Sequence, residues 1–349
     1  MKKAKLLTVS LALVLFCSVF TACTGTSGPA AGAPSSGGST SAPPPQESSG
    51  GADYPTKSIR VIVPYAAGGN TDLNARAVAS IMQENKILSQ PMVVSNITGA
   101  NTMDACSAIL DADPDGYTLL CHHSSLLAIN ASGAGRIRYD DMEPVIEVAS
   151  APFCIVASKS SGFKTVEEVV EYAKANPGKL KMAYIGAGST THLTAMLFLT
   201  KAGIADYVNV VSYSNGADGL TAQLSGEVEL RASVGPDAAR YITSGDLIPL
   251  CVSSAASGGV WAGIPTWEEL GYGIEFSMSQ GFYTTKGTPA ESIEILADAV
   301  EEVCKTDAYA DFCKENGMTP TWTRTGEWKT KLDAIYQICE GAFSSGILS

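Results

Sequence analysis

Residues 63–76 read VPYAAGGNTDLNAR. An apolar run stops at Gly68 and Gly69, the polar pair Asn70 and Thr71 follows, and a helix-like pattern begins. A β-rich strand thus feeds a small-residue loop, and the loop feeds a helix. The unit recurs. KMAYIG (181–186) leads through AGS to TTHLTAMLFLTKAG, VNVVSY (208–213) through SNGA to DGLTAQLSG, and VELRASV (228–234) through GPD to AARYITSG. Apolar strands alternating with helices predict an α/β fold with parallel sheets covered on both faces.

Local signals agree. On the first helix Leu73, Ala77, Val78, Ile81 and Met82 are spaced to share one face. TVEE at Thr165–Glu168 fits a capping box, as does TPAE at Thr288–Glu291 with Pro289 at the first helical position. NPGK after Ala175 ends a helix, and Gly203 and Gly245 read as C-caps. Four or more units over about 300 residues exceed one comfortable core, so two α/β domains are expected.

The first residues read as an export signal. MKKAK is basic, LLTVSLALVLFCSVF is apolar, and small residues precede Cys23. The apolar run is shorter than the roughly 20 residues a membrane span needs. FTAC resembles a bacterial lipobox with Phe20 where Leu is usual, which makes residues 1–22 a lipoprotein signal peptide and Cys23 the lipid-bearing residue. Residues 23–53 are otherwise Gly, Ser, Pro and Ala with almost no large apolar side chain, a tether spanning roughly 30 Å on average. A domain held just outside a membrane is the expectation.

The chain has 349 residues, 45% of them hydrophobic, and a formal charge of −12. Loss of Lys2, Lys3 and Lys5 with the leader makes the balance more acidic. That argues against nucleic acid as a partner, since such a partner demands clustered Lys and Arg. An anionic ligand must be held locally against an unfavourable field. Of nine cysteines, those after Cys17 and Cys23 are odd in number and lack C-x-x-C or zinc-like spacing, so buried free thiols are the plain reading. Three histidines make a metal site improbable, and no cofactor is expected.

In open parallel sheets ligands sit beyond the carboxyl ends of the strands. Each recurring loop lies there and opens a helix, whose first amides lack partners and carry partial positive charge. AAGGNTD and GAGSTTH are therefore candidate anion cradles, and neither contains Lys or Arg. The G-x-x-x-x-G-K-[ST] phosphate loop is absent, GGNTDL does not match G-x-G-x-x-G, and GAGSTT matches it only in part. Bare amides and hydroxyls suit a small carboxylate. Asp72 has two readings: a dipole-favourable residue bonding its own backbone, or one that orients water or meets a ligand amine. Ser189 and His192 raise the alternative of an extracytoplasmic hydrolase, without a G-x-S-x-G elbow and at a spacing where Ser commonly caps. His122 and His123 follow YTLLC and face different ways, which disfavours a shared metal.

From Tyr54 to about Tyr336 the chain resembles the substrate-binding receptors of tripartite tricarboxylate transporters, the Bug family. The resemblance rests on YPTKSIRVIVPYAAGGNTDLNAR, DADPDGYTLL, YAKANPGKLKMAYIGAGSTTHL, VNVVSYSNGADGLTAQLSGEVEL, AARYITSGDL, IPTWEELGY and GFYTTKGTPAESI, in that order and spacing. It implies no enzyme but a two-domain periplasmic-binding-protein type II fold (a Venus flytrap), with parallel-rich sheets, helices on both faces and two crossing hinge strands. Residues 54–154 with 277–349 would form one domain and 155–276 the other. A di- or tricarboxylate, acidic amino acid or aromatic acid would lie between them. The positions implied are Tyr65, Ala67, Gly68, Gly69, Asn70, Thr71 and Asp72 on one side. Gly188, Ser189, Thr190 and His192 stand on the other, with Tyr213, Asn215 and Gly216 nearby. His123, Ser124 and Asp237, at neighbouring strand ends, complete the expected set. Two departures stand out: YSNG where the family often reads Tyr-Lys-Gly, and NITGANT from Asn96 where it often reads Asn-x-Pro-Gly-Ala-Gly-Gly. The implied partners are a small carboxylate, integral-membrane transporter subunits and the membrane through Cys23, with the receptor a monomer. A ligand sensor feeding a membrane signalling protein is the alternative.

Overall fold

The computed structural model describes residues 54–254, 259–273 and 276–346. The expected signal peptide, Cys23 and the tether lie outside them. The chain runs β1 (Ile59–Val63), α1 (Asn70–Glu84), β2 (Met92–Asn96), α2 (Met103–Leu110), β3 (Thr118–His123) and α3 (Ser125–Ala131). It continues through β4 (Met142–Ser158), α4 (Val166–Ala175), β5 (Leu180–Ile185), α5 (Thr190–Lys201), β6 (Val208–Tyr213), α6 (Gly216–Leu224), β7 (Leu230–Val234), α7 (Gly235–Thr243) and β8 (Leu247–Val252). It closes with β9 (Ser277–Thr285), α8 (Ala290–Cys304), α9 (Asp307–Glu315), β10 (Thr319–Pro320) and α10 (Thr325–Ser344).

The strands join in the order β2-β1-β3-β9-β4-β7-β5-β6, with β8 and β10 also on β4. Two parallel cores lie within this path. β1 pairs in parallel with β2 and β3, and β5 with β6 and β7. The strands between them are antiparallel. β4 is 17 residues long, about 55 Å at strand rise. Its first part, Met142 to Pro152, pairs with β9. From Phe153 it pairs with β7, and from Cys154 also with β8. One strand therefore serves both lobes. Its residues are buried almost without interruption, as a strand covered on both faces must be.

One side chain fastens the crossing. Ser253 donates its N–H to Phe153 O (2.8 Å), and its Oγ accepts from Phe153 N–H (2.9 Å). The same Oγ donates to Phe276 O at 2.6 Å. The Phe153 and Phe276 rings stack at 4.8 Å. Phe153 is on β4 and Phe276 precedes β9, so one buried hydroxyl ties the outward and return passes of the chain.

Most local expectations hold. Thr165 caps α4 in a full capping box with Glu168, and α4 stops at Ala175. Gly203 and Gly245 follow the ends of α5 and α7 with φ of 65° and 75°. The seven cysteines among the described residues are free and buried. Three expectations fail for stated reasons. α8 starts at Ala290, with Pro289 as its N-cap. The Thr288 hydroxyl is drawn backward to Thr285 O (2.8 Å) and cannot cap. GPD is no loop, since α7 begins at Gly235 directly after β7. The inner face of α1 is rotated. Leu73 is 42% exposed, while Asp72 and Asn74 are buried. Asn74 Oδ1 accepts from Tyr309 Oη at 2.7 Å, fixing a polar residue against α9.

Replacing Ser253 by Ala should leave Phe153 N–H and Phe276 O buried without that partner. Urea unfolding should show a loss of about 2 kcal/mol or more; an unchanged midpoint would mean the crossing is held by packing alone.

Candidate functional site

The loops at the strand ends converge on the crossing. Ala151 and Pro152 of β4 lie opposite Met278 and Ser277 of β9. From one lobe, Asn70 Nδ2 at the start of α1 points to Met278 Sδ (3.9 Å). From the other, Gly235 at the start of α7 lies so close that an added Cβ would come 3.0 Å from Pro152 O and from the Trp261 ring. The first turns of α1 and α7 thus flank the hinge from opposite sides. The α5 loop also meets the first lobe, because a Cβ at Gly188 would come 2.9 Å from Ser132 Oγ at the end of α3.

In the first lobe, Gly69 is the N-cap of α1 and supplies no side-chain bond. Asp72 is 1% exposed and fully engaged. It accepts from Gly68 N–H (2.8 Å), Arg76 Nε (3.0 Å) and Asn96 Nδ2 (2.9 Å). Burial, the largest influence, pushes its carboxyl up, but these hydrogen bonds together with the Arg76 charge outweigh it and hold it below the ordinary value. The backbone-bonding reading of Asp72 fits this geometry. The same bond consumes the Gly68 amide, and Gly69 N–H is spent on Ala66 O (3.2 Å). Among the described residues, the amides of Asn70, Thr71 and Asp72 have no protein acceptor. Ala67 is exposed beside them, and Gly68 holds φ of 80°.

The β3 end adds aromatic and neutral donor groups. Tyr65 stacks on His123 at 5.0 Å with ring planes 8° apart, and its Oη bonds Ser125 Oγ at 2.7 Å. Ser125 N–H donates to His123 Nδ1 (3.2 Å), which leaves the ring proton on Nε2. Burial, helped by His122, keeps His123 neutral to about pH 3. His122 is buried, accepts from His123 N–H at Nδ1 (2.8 Å), and its Nε2 has no partner among the described residues. Burial lowers it to about 4. Ser124 is also buried, its Oγ accepting from Ser279 N–H at 3.3 Å. It ties β3 to β9. The NITGANT departure has a conformational consequence, because Ala100, Asn101 and Thr102 all take positive φ (43°, 53° and 75°). Glycine would occupy that backbone without strain.

In the second lobe, Ser189 caps α5. Its Oγ accepts from His192 N–H (3.2 Å) and donates to Ile185 O (2.5 Å). His192 turns its ring onto Tyr184 at 4.2 Å and accepts Gly188 N–H at Nδ1 (3.2 Å). Ser189 meets the backbone of His192 rather than its imidazole, so the pair is a cap and not a nucleophile with its base. Each lobe therefore presents a Tyr–His stack whose imidazole keeps its Nε2–H as a neutral donor. Tyr184 carried no signal in the sequence. Thr190 is buried and its amide has no protein acceptor among the described residues. Asn215 caps α6 by accepting Asp218 N–H at 2.9 Å, and Tyr213 Oη donates to Glu227 (2.9 Å). A methyl at Gly216 would come 3.8 Å from Asp237 Oδ2.

Residues 74–332 match the family model described as the tripartite tricarboxylate transporter family receptor. Protein BugT of Bordetella pertussis is 32% identical over 273 residues, 76% of this chain and 82% of that protein. Among solved structures, a protein of R. palustris with adipate is 27% identical at a TM-score of 0.75, covering 84% of this chain and 99% of that one. The periplasmic binding protein BugD is 26% identical at 0.73, over 84% and 99%.

The unfolded chain protonates His122 near pH 6.5 and the folded chain near 4. Between those values the unfolded state binds more protons. The contribution is full above about pH 6.5 and drains as pH falls toward 4. Unfolding free energy should therefore drop by about 2 kcal/mol more between pH 7 and 5 in the wild type than in His122→Asn. Equal drops would show the ring is not held neutral.

Proposed function

The chain belongs to the tripartite tricarboxylate transporter receptor family, and on that premise we propose that it grips a small organic carboxylate between its lobes and hands it to the permease of such a transporter. It is a solute receptor and not an enzyme. The observation that supports the ligand class is the set of unpartnered amides at Asn70, Thr71 and Asp72 on one lobe and at Thr190 on the other. The two neutral imidazole N–H donors add to it. All are hydrogen-bond donors, none is a charged side chain, and all lie at strand ends where the lobes meet. The adipate-bound neighbour fits such a donor set. Residues 54–154 with 277–349 serve as one gripping domain and 155–276 as the other. Closure follows from tighter binding of the ligand by the closed form. Acylation of Cys23, with the tether, would keep the receptor beside its permease.

Thermal shift and calorimetry against a carboxylate panel test the reading. At least one carboxylate should stabilise the protein. Gly69→Leu should abolish that binding while leaving the fold, because Gly69 has an ordinary φ of −74° and its Cβ would meet only Ala66 O at 3.2 Å. Equal affinities would remove Gly69 from the site. For the anchor, Cys23→Ala should release the protein from membranes into the soluble fraction, and unchanged fractionation would refute acylation there.

A further inference from the structure

Asp72 and Asp237 occupy the same position in two helices, the third residue of α1 and of α7. An aspartate there ordinarily bonds nearby backbone amides or a neighbouring cation. Asp72 does so. Asp237 does not: among the described residues its carboxylate has no hydrogen bond and no ion pair. The residue is exposed to solvent. Its Oδ2 lies 3.8 Å from where a Gly216 Cβ would stand, beside the first amides of α6. Across the cleft it is close enough to Tyr65 for its charge to raise that phenol, in addition to burial.

The charges around it are few. Arg231, on β7, is 1% exposed. Its Nε donates to Gln223 Oε1 (3.0 Å), and its Nη2 is buried without a hydrogen-bond partner among the described residues. Arg240 turns onto Tyr241, bonding its Oη at 2.7 Å. Desolvation by the protein around Asp237 pushes its carboxyl up from its ordinary value, and both guanidiniums oppose this from a distance. Neither touches it. A carboxylate-only ligand in this cleft would set a second anion against Asp237 with no contact cation between them, at a cost that low surrounding dielectric enlarges.

Resting on the carboxylate reading above, we propose that Asp237 is a specificity residue that accepts hydrogen bonds from an ammonium group, so that the preferred ligand is a zwitterion carrying both a carboxylate and a protonated amine. The helix-start amides and imidazole N–H groups hold the carboxylate end. Asp237 holds the amine, the one ligand group for which those donors offer no partner. No bond is made or broken and no proton is transferred.

Matched pairs differing only in the amine test this: L-aspartate against succinate, L-glutamate against glutarate, and L-alanine against propionate, each titrated into wild type and Asp237→Asn by calorimetry. The amino member of at least one pair should bind about tenfold or more tightly than its partner, the scale of a charged hydrogen bond. Asp237→Asn should erase that preference while leaving affinity for the amine-free acid equal or higher. Succinate, glutarate or propionate binding as tightly as its amino partner throughout would overturn the proposal and leave the carboxylate reading standing. Binding by no carboxylate at all would overturn both. Should the variant fail to fold, as it would if Asp237 chiefly balances Arg231, the wild-type pairs still decide the amine preference.

Discussion

Two passes of the chain connect the lobes among the described residues, and the hydroxyl of Ser253 lies between them. It accepts from Phe153 on the outward strand and donates to Phe276 on the return. Everything that makes a cleft is referred to this point. α1 reaches it through Asn70 and Met278, and α7 through Gly235 and Pro152. The two helix starts are therefore positioned by one piece of backbone rather than by two separate domains. Rotation of one lobe against the other must turn about these bonds, since hinges concentrate change in a few terminal residues. The helix starts ride at the edge of that rotation and carry the groups proposed to meet a ligand.

The cleft solves an electrostatic problem. On the proposed reading a protein of charge −12 holds an anion through partial charges effective only at close range. Helix-start amides act within the first turn, and two imidazoles donate without being charged. Burial suppresses their protonation, as the value of about 3 for His123 illustrates. The donors thus stay the same across the neutral range. Asp72 contributes by being neutralised: Arg76 and Asn96 absorb its charge, so it does not repel what the amides attract. Asp237 has no such escort and leaves a negative point in an otherwise donating surface.

The loops that form the cleft were legible in the sequence because strand, glycine and helix cap are local signals. Thr165, Gly203 and Gly245 act as their chemistry predicts. What was not legible depended on residues distant in the chain. Leu73 sits outside and Asn74 inside because Tyr309, more than two hundred residues later, supplies the partner for Asn74. Gly68, expected in the anion cradle AAGGNTD, gives its amide to Asp72. Hydrophobic periodicity cannot register either bond. Ser253 illustrates the same limit: it carries no motif, and its role exists only where two passes of backbone meet. The YSNG departure from Tyr-Lys-Gly was visible as a missing cation, but the nearness of Gly216 to Asp237 shows only in the structure.

Affinity and encounter are consequently governed by different parts of the molecule. The overall negative field acts over about a Debye length, opposes the approach of any anion and is screened by salt. On the proposed reading the amides and imidazoles act only after the ligand has entered, where a lower dielectric makes each hydrogen bond count for more. An amino acid gives the field one negative charge fewer to oppose than its amine-free counterpart, yet presents both signs to the cleft once inside. For such a ligand the acidic surface costs less on the way in, so a chain strongly negative outside remains compatible with the proposed carboxylate site within.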